Sequence, residues 1–152
     1  MAHKHEKKIV LASGVFDLLH LGHVKFLEEA KKIGGEKAEL VVIIARDSTV
    51  KKTKGRKPIM SEHQRRALVE SLKVVDAAVL GFEEFDIEDV IERVKPDIIA
   101  FGYDQVDMEK YVQEYVNKNK LSIKVVRIRK FEEDALDSSS KIRQRIIEKF
   151  VR

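Results

Sequence analysis

The chain has 152 residues, 43% of them hydrophobic, with a formal charge of +4: enough for one domain with a buried core, and a balance that suits phosphate-bearing ligands without singling them out. It has no cysteine, which excludes disulfides, thiolate metal ligation and cysteine nucleophiles. Its longest apolar run, Leu40–Ala45, has six residues against the ~20 of a membrane span, and the apolar stretch after the basic start MAHKHEKK is too short for a signal peptide, so a cytoplasmic protein with no membrane partner is expected.

The predicted elements alternate along the chain. Apolar runs read as strands at Lys8–Ser13, Glu39–Ala45, Ala77–Gly81, Asp97–Gly102 and Ile123–Ile128. Between them, helices are expected over Gly22–Ile33, stopped by Gly34-Gly35, and from Ser61, where Ser-Glu-His-Gln reads as a capping box. Shorter patterns give helices over Glu88–Val94, ending before Pro96, and over Met108–Lys118; the last runs from Ser139 to Phe150. Dense mixed charge (37%) without cysteine is a pattern that heat-adapted proteins share. Five strands alternating with helices, several of them continuously apolar, predict a single α/β domain over residues 1–152 with residues 1–7 flexible. It is Rossmann-like, with a five-stranded parallel sheet and helices on both faces. Ligands of such folds bind beyond the carboxyl ends of the strands.

The first such strand end carries GVFDLLHLGH, Gly14–His23. His20 and His23 are three residues apart and share a face of the first helical turn, where free N–H groups and the dipole favour anions. Gly14 lets the turn bend close to phosphate, and Gly22 leaves the backbone open to a nucleotide. The reading is nucleotide phosphate binding with stabilisation of charge on phosphoryl oxygens. Helix-start histidines of purely structural role, a metal site formed with Asp17, and an ordinary turn at Gly14–Asp17 stand beside it.

Three further segments sit at strand ends. KKTKGRK, Lys51–Lys57, places five cations in seven residues on what reads as a loop after the second strand, either a solvated basic loop or a mobile phosphate clamp. Aromatics interleaved with the basic residues are absent, so no nucleic-acid partner is expected. Gly102-Tyr103-Asp104-Gln105 follows the fourth strand and offers close approach, a stacking face and an acceptor for ribose hydroxyls. Ser138, Ser139 and Ser140 open the last helix, where serine is commonly only a cap.

GVFDLLHLGH resembles the G-x-F-D-x-x-H-x-G-H signature of the cytidylyltransferase-like nucleotidyltransferases, with all six fixed positions in order. KGRKPIMSEHQRRALVESLKVVDAAVLG, KPDIIAFGYDQ and SSSKIRQRI resemble the family's other segments, with archaeal-type FAD synthases as the subgroup most similar. The resemblance implies that ATP (or CTP) donates a nucleotidyl group to FMN, giving FAD and pyrophosphate, with Mg²⁺ or another divalent cation as cofactor and a homodimer as the assembly. Related alternatives are glycerol-3-phosphate cytidylyltransferase and a non-catalytic nucleotide-binding module. It also implies catalytic roles for His20, His23 and Lys54. Nucleotide contacts would come from Gly14, Val15, Phe16, Asp17, His20, Gly22 and His23, from Arg56 and Arg65, from Gly102–Gln105 (Gly102, Tyr103, Asp104, Gln105), and from Ser138, Ser139 and Ser140. EDALDSSS lacks the arginine and glycine of the R-T-E-G-I-S-T-T segment that glycerol-phosphate cytidylyltransferases carry there. Tyr103, Phe82, Phe85 and Phe131 are the aromatics available to line a flavin slot.

Overall fold

The computed structural model describes residues 7–84, 86–132 and 136–151. They fold in the order β1 (Ile9–Gly14), α1 (Leu21–Ile33), β2 (Glu39–Ile44), α2 (Asp47–Lys54), α3 (Glu62–Glu70), β3 (Ala77–Leu80), α4 (Ile87–Val94), β4 (Ile98–Phe101), α5 (Val106–Lys118), β5 (Lys124–Arg127) and α6 (Ser139–Phe150). The strands form one parallel sheet in the order β3-β2-β1-β4-β5. The expected α/β architecture is therefore present. The expected flexible start lies outside the described residues except for Lys7, which forms an ion pair with Glu39.

Alternation along the central strands divides the core. Val10 and Ala12 of β1 pack with Leu27 and Ala30 of α1 and Val69 of α3. Leu11, between them, faces the other way and packs with Val90 of α4 and Val112 and Val116 of α5. Both faces are covered, which is why β4 is buried at all four positions and reads as unbroken apolar sequence. The edge strand β5 is half-buried at its two central positions and exposed at its ends. Strand order reverses between β1 and β4, so a crevice opens where their carboxyl ends diverge.

One expectation is corrected. The segment after β2 is not a loop up to Lys57; it is helix α2 as far as Lys54, closed by Gly55 at φ 75°, whose N–H reaches the Lys51 carbonyl. Only Val50 of α2 is buried, so there is no apolar period to read. The helix is specified instead by Asp47 in its first turn, lysines in its last turn, and a left-handed glycine cap.

Candidate active site

A cleft of about 770 Å³ lies at the carboxyl ends of β1 and β4. Its floor is the turn from β1 into α1. Phe16 and Leu18 hold φ values of 54° and 50° there, left-handed conformations that cost non-glycine residues free energy and persist only where surroundings impose them. The restraints can be named. Phe16 is buried and meets the His23 ring edge-on at 5.3 Å. The Val15 carbonyl accepts from Arg65 at 2.8 Å. The Asp17 carboxylate accepts the N–H groups of Ile59 (2.8 Å) and Met60 (2.9 Å), and its carbonyl accepts the Ser139 hydroxyl. A Cβ on Gly14 would sit 2.9 Å from the Phe16 ring, so this glycine makes room for Phe16.

The two histidines form a reciprocal cap. His20 is the N-cap of α1, and its Nδ1 accepts the Gly22 N–H at 3.0 Å; His23 Nδ1 accepts the His20 N–H at 3.2 Å. The rings stack with centroids 3.8 Å apart. A ring nitrogen that accepts a hydrogen bond carries no proton, so each neutral imidazole holds its proton on Nε2. Burial pushes the His23 pKa down to about 3, with the neighbouring His20 adding to the shift and Asp17 opposing it. Burial also lowers that of His20, against the pull of Asp137. Protonation would have to occur at Nδ1 and would break the caps. At neutral pH the pair therefore consists of two uncharged Nε2–H donors lining the cleft, suited to hydrogen-bonding phosphoryl oxygens and unsuited to acting as a strong acid.

Gly22 serves this cap. A Cβ there would lie 2.8 Å from both the Asp137 carbonyl oxygen and His20 Cε1, so this glycine, which also lines the cleft, makes room for both groups.

The far wall combines the β4 exit with the start of α6. Gln105 lines the cleft, but its amide joins β4 to β1: Oε1 accepts the Gly102 N–H (2.8 Å) and Nε2 donates to the Ser13 carbonyl (3.1 Å). Tyr103 and Asp104 are exposed on this wall, and Lys130 lies 5.3 Å over the Tyr103 ring. Ser138 is the N-cap of α6 and accepts the Lys141 N–H, while Ser140 accepts from Arg143 at 3.0 Å. Asp137, buried to 8% exposure, pairs with Lys141 at 2.7 Å, which holds its carboxyl below the usual range; nearby Lys130 adds to this and burial opposes it.

The opposite wall carries Lys54 and Arg56, both exposed. Of the residues expected to contact nucleotide, Arg65 alone does not line the cleft. It is fully buried, and its guanidinium donates to the carbonyls of Met60, Val15 and Ala45 and to Asp47. A buried charge needs such partners; four of the five N–H donors are committed to them, and full burial keeps the group away from a phosphate in the cleft. Among the aromatics, Tyr103 and Phe131 line the cleft. Phe82 instead packs with the α4–α5 core beneath Arg93 at 4.7 Å, and Phe85 lies outside the described residues. Sequence reasoning missed Phe26, Lys130, Asp137 and Arg143, which also line the cleft. Arg143 was accessible from its place three residues beyond Ser140, one turn into α6.

Asp17, His20 and His23 do not form a metal site: both Nδ1 atoms and the carboxylate are engaged with backbone N–H groups. No cluster of three or more metal-ligating His, Asp or Glu side chains occurs among the described residues. No helix among them is long and apolar enough to cross a membrane.

A family model described as cytidylyltransferase-like matches residues 11–145, spanning the sheet, the histidine pair and the start of α6. The chain belongs to the cytidylyltransferase-like family. A relative from Ferroglobus placidus named FAD synthase is 53% identical over 140 residues to this cytidylyltransferase-like protein, covering 92% of the chain and 88% of the relative. Another FAD synthase, from Aciduliprofundum boonei, is 50% identical over 140 residues, covering 92% and 91%. A crystal structure titled lipopolysaccharide core biosynthesis protein, from Thermoplasma volcanium, superposes with a TM-score of 0.74 at 48% identity, covering 84% of this chain and all of that one.

Proposed function

We propose that this protein is an FMN adenylyltransferase, joining ATP and FMN to give FAD and pyrophosphate. The observation that carries the substrates is the pair of relatives named FAD synthase, half or more identical over nine-tenths of the chain. The geometry supports the chemistry. A terminal phosphate oxygen of FMN attacks the α-phosphorus of ATP; the new O–P bond forms as the bond to the bridging oxygen breaks, and pyrophosphate leaves with that electron pair. No nucleophile from the protein is required, so catalysis consists of positioning and charge stabilisation. The Nε2–H groups of His20 and His23 stabilise the α-phosphoryl oxygens. Lys54 and Arg56 from one wall, and Arg143 with the N-terminus of α6 from the other, receive the β- and γ-phosphates. Asp104 accepts from the ribose, and Tyr103 with Phe131 offers faces for a ring.

A divalent cation, Mg²⁺ or another, belongs to the same proposal. Asp17 and Asp137 are already engaged, so the donor set of the cleft does not build a protein cage for it. The cation is proposed to arrive on the nucleotide phosphates. The reading further includes a cytoplasmic enzyme, where ATP is abundant, and a homodimer, which the exposed Ile146, Ile147 and Phe150 of α6 support.

The test is product chromatography. With Mg²⁺, ATP and FMN the protein yields FAD, and with CTP and glycerol 3-phosphate it yields nothing. CDP-glycerol without FAD would replace the proposal with the cytidylyltransferase, and no product in either tube would favour a nucleotide-binding module.

A further inference from the structure

We infer that Arg65 is a positioning residue: without touching either substrate, it fixes the spacing between the histidine pair and the cations on the opposite wall. The inference rests on the nucleotidyl-transfer reading of the cleft.

The four acceptors of its guanidinium belong to three pieces of chain far apart in sequence, around Val15, Ala45–Asp47 and Met60. Nη1 donates to the Val15 carbonyl, in the turn that leads to the histidines, and to the Ala45 carbonyl at the end of β2, both at 2.8 Å. Nη2 donates to Asp47, the first residue of the helix whose last residue is Lys54, at 2.7 Å. Nε donates to the Met60 carbonyl, where the chain returns from Arg56, at 2.9 Å. Residues 47–60 thus form an arch with both feet tied to one planar group. The cations stand at its tip, and the histidine turn is tied to that same group. A second anchor repeats the connection: the Asp17 carboxylate, in the histidine turn itself, holds the N–H groups of Ile59 and Met60.

The fork geometry matters. A lysine at this position keeps the charge but cannot reach acceptors spread around a plane. The arch then keeps its composition and loses its fixed distance from the histidines. Long side chains at the tip can still find phosphates, so ground-state binding tolerates the change. The transition state does not, since misplacement by about 1 Å costs roughly 10²-fold in rate.

The experiment compares Arg65→Lys and Asp17→Asn with the wild-type chain. It measures kcat and KM for ATP and FMN per folded molecule, the folded fraction being read from thermal melts, together with amide hydrogen exchange at Ile59 and Met60. The expected result for each variant is a kcat lowered tenfold or more, both KM values within threefold, and faster exchange at those two amides. Wild-type kcat per folded molecule would overturn the inference, leaving Arg65 a stabilising residue only. An ATP KM raised tenfold at unchanged kcat would overturn it in favour of a substrate-binding role. If Arg65→Lys does not fold, Asp17→Asn decides on the same criteria. A wild-type protein that makes no FAD refutes the FMN reading instead, and the exchange comparison then decides whether Arg65 locks the arch.

Discussion

His20 has two separable duties, and one pair of substitutions tells them apart. Its Nδ1 accepts the Gly22 N–H as the N-cap of α1, and its ring lines the cleft with Nε2–H as the remaining donor. His20→Ala removes both. Loss of the cap costs ~1 kcal/mol, which for a chain of this size lowers Tm by about 2–4 °C. Loss of a donor aimed at transition-state charge costs about 10²-fold in kcat, or ~2.7 kcal/mol of barrier. His20→Asn restores only the first: asparagine is among the best N-caps, but its side chain ends short of where Nε2 sits. The expected outcome is a Tm within a degree or so of wild type for His20→Asn, with kcat as low as in His20→Ala. The assay is FAD formation at saturating ATP and FMN, beside thermal unfolding by circular dichroism. Wild-type turnover in His20→Asn would rule out a catalytic donor at His20, because the ring would then be a cap and nothing more. A Tm as low as that of His20→Ala would refute the capping half.

The pH dependence of stability follows from His23. Its pKa falls from 6.5 to about 3 on folding, so between those values the unfolded chain holds a proton that the folded one does not; unfolding free energy therefore rises with pH across that window and levels off above it. Urea titrations from pH 4 to 7 should show this rise in the wild type and a shallower one in His23→Gln, and equal slopes would contradict it. Gly22→Ala should destabilise the protein and lower kcat, since the new Cβ meets the Asp137 carbonyl at 2.8 Å, although propensity alone would favour alanine by ~1 kcal/mol. A thermal melt showing a gain in stability would count against the cap geometry. Lys54→Ala should raise the KM for ATP about tenfold, the worth of one charge-assisted contact, while Lys51→Ala, outside the cleft, stays within twofold. Steady-state kinetics that move both equally would point to a diffuse basic patch.

The parts of the fold that rest on burial were legible in the sequence. β1, β2 and β4 are covered on both faces and read as apolar runs, and the ligand crevice follows from the parallel topology. Helix α2 was not legible from periodicity, because one buried valine leaves no pattern; its charges and Gly55 were the available signal. In the site, sequence reasoning located the histidine pair, Lys54, the β4 exit and the serines of α6, all of which line the cleft. What spacing could not reveal was which polar groups are consumed internally. Arg65 and Asp17 resemble ligands in sequence, yet they spend their hydrogen bonds on carbonyls and amides up to fifty residues away, pairings created only by the folded chain. Asp137 carried no sequence signal, since its place in the cleft depends on Lys141 and the close approach of Gly22.

Adenylyl transfer to FMN at the α-phosphorus leaves a signature in isotope position. ATP labelled at the α-phosphorus and ATP labelled at the γ-phosphorus are each incubated with FMN, Mg²⁺ and the wild-type protein, and the flavin and phosphate fractions are separated. The expected outcome is α-label in FAD in proportion to turnover, with γ-label in pyrophosphate and never in the flavin. Label from the γ-position in a flavin product, or its release as orthophosphate with no labelled FAD, would contradict it.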